Sequence, residues 1–193
     1  MNAANRVVSS EAEELILVDA DDTATGFLSK AECHDGDGHL HRAFSVFLFN
    51  ANGELLLQQR SDSKRLWPGY WSNSCCSHPR KGESMSVATR RRLRDELNIR
   101  TALEFVYKFS YQARYGNAGS EHELCHVYLG TVPDVVVPND HEIAALRFVD
   151  AAALQQEFVD APQRFTPWFR MEWAALQDDH RDVLSRYCPV QPT

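Results

Sequence analysis

The stretch Asn73-Ser74-Cys75-Cys76-Ser77-His78-Pro79 sets a thiol two residues from an imidazole, and Glu121-His122-Glu123 sets two carboxylates two residues apart. In an extended segment residues i and i+2 emerge on one face, so each pair can serve a single pocket. A thiol, a metal-binding imidazole and paired carboxylates are the groups that move protons. Adjacent cysteines in a strand point to opposite faces, so at most one of Cys75 and Cys76 meets a given pocket. His78, on the same side as Cys76, favours Cys76.

The chain has eight histidines, and a lone histidine is ordinarily a surface residue or a satisfied core residue. That explanation serves for His39, His126, His141 and His180. His34, His41 and His78 gain meaning only beside Glu121 and Glu123. Three imidazoles and two carboxylates make a mixed N/O set suited to a hard or borderline divalent ion such as Mn²⁺ or Zn²⁺. The two acids by themselves fit an exposed strand edge. Residues 124–129 are largely apolar, however, so the strand runs into the core. Acids at its mouth are then partly desolvated, which raises a carboxyl pKa unless a cation compensates. Arg60, Lys64 and Arg65 lie around Trp67-Pro68-Gly69, either as solvated loop charges or as a diphosphate clamp in which Arg binds bidentately and Lys acts as a point charge. Trp71, Tyr111 and Trp168 suit either a core or the wall of an apolar ligand pocket.

Elements able to position these groups follow from the pattern. Leu15-Ile16-Leu17-Val18 reads as a short strand, residues 30–39 as a glycine-containing loop and residues 43–49 as a strongly apolar strand. Asn50-Ala51-Asn52-Gly53 supplies a hairpin turn, so residues 54–59 return antiparallel. Residues 61–69 form a loop and 70–75 re-enter the sheet. Gly82-Glu83-Ser84 opens a helix through Leu97, with Glu83 at the positive end of its dipole. Its apolar stripe is Met85, Ala88, Leu93 and Leu97, and its other face carries Arg90, Arg91, Arg92 and Arg94. Strands follow at 102–114 and 122–132 around glycine-bearing residues 116–119, then a short strand at 147–150, a helix at 151–158 and a longer one at 166–186. Strands dominate the middle and helices the end, which is the α+β class.

A chain of 193 residues with 44% hydrophobic and 24% charged residues is long enough for one compact domain with its own core. The reading is a flexible leader over 1–14 and one domain over 15–193. A net charge of −7 argues against a phosphate-backbone partner, so no nucleic acid is expected. A local basic cluster can still bind a small anion. No apolar stretch is long enough to span a bilayer, the start lacks the pattern of a secretory signal, and five cysteines without a CxxC suit neither a disulfide framework nor a zinc ribbon. The expected location is the cytoplasm, and the expected state a monomer or weak dimer.

Together these residues resemble type 1 isopentenyl-diphosphate isomerase, in the Nudix superfamily, over nearly the whole chain from Leu15 to Arg186. The matching pieces are His34, His41, Arg60, Lys64, Trp67-Pro68-Gly69, Trp71, the 73–79 segment, Gly82-Glu83-Ser84, Arg92, Glu96, Tyr111, Glu121, Glu123 and Thr166-Pro167-Trp168. The helix also resembles an altered Nudix box: Arg91 keeps its Arg, Arg92 replaces a Glu, Asp95 and Glu96 stand for the paired glutamates, and Asn98 replaces the closing glycine.

The resemblance implies a Nudix-like fold of mixed and antiparallel sheet flanked by helices. It implies that His34, His41, His78, Glu121 and Glu123 hold one divalent metal, Mn²⁺ or Zn²⁺ or else Mg²⁺. Cys76, as thiolate, and Glu123 would stand on opposite faces of the substrate as the acid/base pair, with Tyr111 supporting Glu123. Glu96 and the backbone carbonyl of Cys76 would place Mg²⁺ on the diphosphate. Lys30, Arg60, Lys64 and Arg92 would grip that diphosphate, Trp168 would face the carbon skeleton, and the stretch through Lys30 would close the site. The implied reaction interconverts isopentenyl and dimethylallyl diphosphate. A Nudix pyrophosphohydrolase acting on a nucleoside diphosphate derivative is the alternative, and a noncatalytic metal-binding module is a third reading.

Overall fold

The apolar run at 43–49 lies at the centre of the structure, a computed structural model that describes residues 6–132 and 135–188. In chain order the strands are β1 (Glu14–Val18), β2 (Ala24–Ser29), β3 (His41–Phe49), β4 (Leu55–Arg60), β5 (Trp71–Ser72), β6 (Cys75–Ser77), β7 (Leu103–Tyr115), β8 (Gly119–Thr131) and β9 (Ile143–Val149). The helices are α1 (Lys30–Cys33), α2 (Met85–Leu97), α3 (Ala151–Asp160), α4 (Pro167–Asp178) and α5 (Arg181–Leu184). The strands form one mixed sheet, the α+β arrangement expected.

β3 is apolar almost throughout because both of its faces are covered. Phe44, Val46 and Leu48 meet Ala88, Leu93 and Leu97 of α2, while Ala43, Phe47 and Phe49 belong to the core that contains Phe169, Trp173 and Leu176 of α4. One edge of β3 pairs in parallel with β8, from His41 opposite Glu123 to Phe49 opposite Thr131. The other edge is shared in turn by β1, β6 and β4, with Ser45 opposite Cys76. β7 adds antiparallel to β8 and sets Tyr111 opposite Glu123. Three separate pairings therefore bring His41, Glu123, Tyr111 and Cys76 to one end of one sheet face.

Local chemistry explains the helix ends. The Ser84 side chain caps α2 by accepting from the Val87 N–H. Asn98 closes it in the left-handed region, at φ 55°, a conformation that Asn tolerates better than most residues where glycine is usual.

Several expectations change. β2 and α1 occupy a region read partly as loop, and Ser29 caps α1 in a reciprocal box with Glu32. β9 begins at Ile143 rather than at 147, because pairing along β4 extends it through Ala144 and Ala145. The helix expected over 166–186 is two, α4 and α5. Arg92 is not on the outer face of α2 but 2% exposed, turned inward with Glu96. Of the leader expected over 1–14, residues 1–5 lie outside the described residues; Val8 is buried and its carbonyl accepts from Arg80 and Arg92. No helix of the described residues is long and apolar enough to cross a membrane.

Candidate active site

The 73–79 segment leaves regular pairing between β5 and β6, and its own polar side chains replace the missing ladder. Asn73 Nδ2 donates to the carbonyls of Val46 and Cys75, and Ser74 Oγ donates to Leu56 O while accepting from Leu48 N–H. All of these groups are buried, so each lost bond would leave an unpaired polar atom. The consequence is a fixed orientation for the two cysteines. Cys75 packs into the core on the α2 side, its thiol 3.5 Å from Glu96 Oε1. Cys76 faces the other way, into a cavity of about 380 Å³.

That cavity is also lined by His34, His78, Glu121, Glu123, Tyr111 and Trp168. His34 Nδ1 lies 2.6 Å from Lys30 O and His41 Nδ1 2.7 Å from His39 O. A backbone carbonyl can only accept, so Nδ1 carries the proton and the Nε2 lone pair is presented inward. His34 Nε2 lies 2.8 Å from Glu121 Oε2, and His78 Nε2 lies 2.8 Å from Glu123 Oε1. Gly119 makes the first of these possible. Its φ is 139°, and a Cβ there would collide with the His34 carbonyl, which accepts from Ser120 N–H.

One ligand atom from each of His34, His41, His78, Glu121 and Glu123 falls within 4.8 Å of all the others. Bonds of about 2.2 Å to a central ion would separate opposing ligands by roughly 4.4 Å. His41 Nε2 and Glu121 Oε2 are both buried without a hydrogen-bond partner, although the latter is close to His34. Buried polar atoms are normally satisfied, and a divalent cation would satisfy both. The donor set therefore fits a metal.

The paired carboxyls are driven apart. Burial and then the Glu121 charge push Glu123 well above the carboxylate range. Burial acts on Glu121 in the same sense, but His34 outweighs it and holds Glu121 at about 2. Tyr111 donates to Glu123 Oε2 at 2.7 Å, and burial raises the phenol, so it stays a donor. Cys76 lines the same cavity. Burial pushes its thiol up to about 12, opposed mainly by Arg60, with Glu96, Glu123 and Glu172 adding to the rise. Its only short polar contact among the described residues is Ser72 Oγ at 3.9 Å. Burial thus favours the neutral thiol, and the thiolate expected of Cys76 needs positive neighbours such as Arg60.

Lys30, Arg60, Lys64 and Arg92 line the same cavity, together with Val7, Ser9 and Glu11 of the N-terminal segment. Lys30 Nζ donates to Ser9 Oγ at 2.8 Å and lies 3.5 Å from Glu11. Arg60 donates to the carbonyls of Leu66 and Trp67 and lies 5.3 Å from the Trp168 ring centroid. Trp67 adopts φ 47°, rare for a bulky residue; its ring meets Trp168 edge-on and Tyr115 at a tilt, building an aromatic wall. Arg91 binds Glu83 and also donates to His78 O, so the helix fixes the height of His78.

Two acids missed by the sequence reading belong to this region. Glu142 lines the cavity and binds Lys64 and Arg92; its surroundings of Asn139, Asp140 and His141 gave no local signal. Glu172 did leave one, as a carboxyl inside the stripe Trp168, Phe169, Trp173 and Leu176 of α4. It is fully buried beneath Ser45 and Cys125, with Oε2 unpartnered. Burial raises it from 4.5 to about 8, against donation from Ser45 and Cys125. Between those two values the unfolded chain has lost the proton that the folded one keeps, so stability falls as pH rises through 8. Glu172→Gln should therefore melt higher than the parent protein at pH 8, with the difference closing toward pH 4.5. Thermal denaturation across that range checks it, and a variant less stable at every pH would contradict the assignment.

The NUDIX domain family matches residues 39–169. The chain is 43% identical over 174 residues to "Isopentenyl-diphosphate Delta-isomerase 1" of Photorhabdus laumondii subsp. laumondii, covering 89% of this chain and 99% of that one. It is 45% identical over 157 residues to the isopentenyl-diphosphate Delta-isomerase of Serratia proteamaculans, covering 81% and 87%. Among solved structures, a Deinococcus radiodurans protein superposes with a TM-score of 0.64 at 22% identity, covering 77% of this chain and 90% of that one. The MutT protein from Methanosarcina mazei Go1 gives 0.61 at 17%, covering 74% and 96%. These two likenesses speak to the fold alone.

Proposed function

Because the chain belongs to the Nudix family, and within it to the isopentenyl-diphosphate Delta-isomerases, we propose that Cys76 and Glu123 move the protons that interconvert isopentenyl and dimethylallyl diphosphate. The observation that carries this reading is that a thiol and a tyrosine-linked carboxyl from separate strands line one aromatic-walled cavity, beside a cluster of cations. The enzyme is an isomerase; its individual residue roles are the proposal.

An unactivated alkene must accept a proton at its terminal carbon, becoming a tertiary carbocation, and then lose another proton from the carbon that bears the diphosphate arm on the opposite side of the cation. Two groups on opposite faces are needed. Glu123, hydrogen-bonded to Tyr111, gives the first proton and Cys76 takes the second; the reverse reaction exchanges the roles. The pair must then carry one mobile proton in total, on Glu123 for one direction and on Cys76 for the other. In the structure both groups are held toward their protonated forms. A divalent cation held by His34, His41, His78, Glu121 and Glu123 would supply the positive charge that lets the two carboxylates ionise side by side. Arg60 is the protein's own cation favouring the thiolate.

Trp168 lines the cavity, and cation–π attraction there contributes about 2 kcal/mol to the carbocation once water is excluded. Leu66, Val7 and the aromatic wall exclude that water, which would otherwise capture the cation. Lys30, Arg60, Lys64 and Arg92 hold the diphosphate, and Glu96 and the Cys76 carbonyl would hold a Mg²⁺ that neutralises it, so that binding remote from the alkene orients it. The small-molecule diphosphate is the partner, and a reducing cytosol suits five free cysteines.

Hydrolysis is not favoured. Arg92 stands where the Nudix box has an acid, and it engages Glu96, one of the acids the box retains. Incubation with isopentenyl diphosphate and Mg²⁺ should give dimethylallyl diphosphate without free phosphate, read by NMR and a phosphate assay. Phosphate release with no isomer would reject the reading.

A further inference from the structure

Each of the clamp cations already has a partner. Arg92 donates Nε to Glu96 Oε1 at 2.7 Å, Nη1 to Val8 O at 3.2 Å and Nη2 to Glu142 Oε2 at 3.0 Å. Lys64 Nζ binds the same Glu142 oxygen. Arg92 Nη2 also lies 2.6 Å from Glu96 Oε1, so one nitrogen bridges the two carboxylates. Glu142 is 3% exposed and forms part of the cavity wall.

The turn that carries Glu142 is anchored on several sides. Asn139 N–H donates to Glu96 O at 2.8 Å, and Asn139 Nδ2 donates to Asp95 O and Arg6 O. Ser61 N–H donates to Glu142 O, and Ser63 Oγ to His141 O. Glu142 and Glu96 are thereby presented together, astride Arg92, by the end of α2 and the loop that bears Lys64.

A diphosphate arriving alone would have to take Lys64 and Arg92 from Glu142. That carboxylate would then be buried without a partner, which is strongly unfavourable. A diphosphate arriving with a divalent cation changes the exchange: Lys64 and Arg92 would pass to phosphate oxygens while Glu142, on the cavity wall, would pass to the metal, and every charge would keep a partner. We propose that Glu142 is a specificity-determining residue that makes the clamp accept the divalent cation–diphosphate complex and discriminate against the free diphosphate. The inference rests on the clamp assignment above and extends it.

Inorganic pyrophosphate is the probe, since it has no alkene and its binding is independent of isomerisation. Titration calorimetry of the full chain should show pyrophosphate binding about 100-fold tighter with Mg²⁺ than in chelator, the size expected if losing a buried partner governs the metal-free case. In Glu142→Gln, free pyrophosphate should bind roughly tenfold tighter than to the parent protein, and the Mg²⁺ dependence should shrink below about tenfold. Glu142→Asp, which keeps the charge, should retain a strong Mg²⁺ dependence; a thermal melt verifies each fold. Equal affinity of the parent protein with and without Mg²⁺ overturns the proposal, whatever the variants do. So does an unchanged Mg²⁺ dependence in a folded Glu142→Gln protein. Mg²⁺-dependent binding without isomerisation would instead reject the functional reading and leave this one standing.

Discussion

Replacing Cys76 with alanine should leave a folded protein whose isomerisation has fallen by roughly 10³-fold or more, since acid–base groups contribute about 10²–10⁴-fold and this one is required in both directions. The fold should survive because the packing at this point belongs to Cys75, which is fully buried against α2, whereas Cys76 points into the cavity. Its sulfur has little to lose, with Ser72 Oγ 3.9 Å away as its neighbour. Substrate binding should change little, because the substitution removes only the sulfur and leaves the clamp cations and the Cys76 backbone carbonyl in place. The diagnostic result is therefore a collapse in kcat with KM and Tm near those of the parent, followed by NMR of the two diphosphates. Near-normal turnover in a metal-loaded sample would remove Cys76 from the mechanism.

The same segment shows what a sequence can and cannot disclose. The opposite faces of Cys75 and Cys76 were legible because alternation in a strand is local geometry. The α2 helix was legible for the same reason, from its start at Ser84 to its end near Asn98. The metal cluster was not local: His41 and Glu123 are neighbours only because β3 and β8 pair in parallel, and no short-range pattern encodes that register. Combination with the family pattern supplied it. Arg92 was misplaced because periodicity assigns a guanidinium to water, while Glu96 and Glu142 provide it with buried partners. β2 escaped notice because its edge position leaves most of it exposed or half-buried, without the apolar alternation that marks a strand. α1 is shorter than the period needed to recognise a helix. Glu172 could have been found, since an acid within an apolar stripe predicts either a buried partner or a raised pKa.

Glu123→Gln separates a catalytic carboxylate from a merely structural one. Gln is nearly isosteric, and it removes a buried acid that burial and Glu121 already push toward the neutral form. The metal-free variant should thus melt no lower than the metal-free parent. Metal-induced stabilisation is a different matter. Glu123 Oε1 lies 2.8 Å from His78 Nε2 and 3.8 Å from His41 Nε2, inside the ligand cluster. An amide lacks the anionic oxygen, so the rise in Tm on adding Mn²⁺ or Zn²⁺ should shrink, because that rise follows the ratio of metal concentration to Kd. Activity should fall roughly 10³-fold or more even at metal concentrations that restore binding, since the group that gives and takes the proton is gone. If excess metal restored the rate, the carboxylate would serve only to hold the ion. If the variant bound metal normally and ran at full rate, Glu123 would have neither role, and the hydrogen bond from Tyr111 would have to be explained as packing.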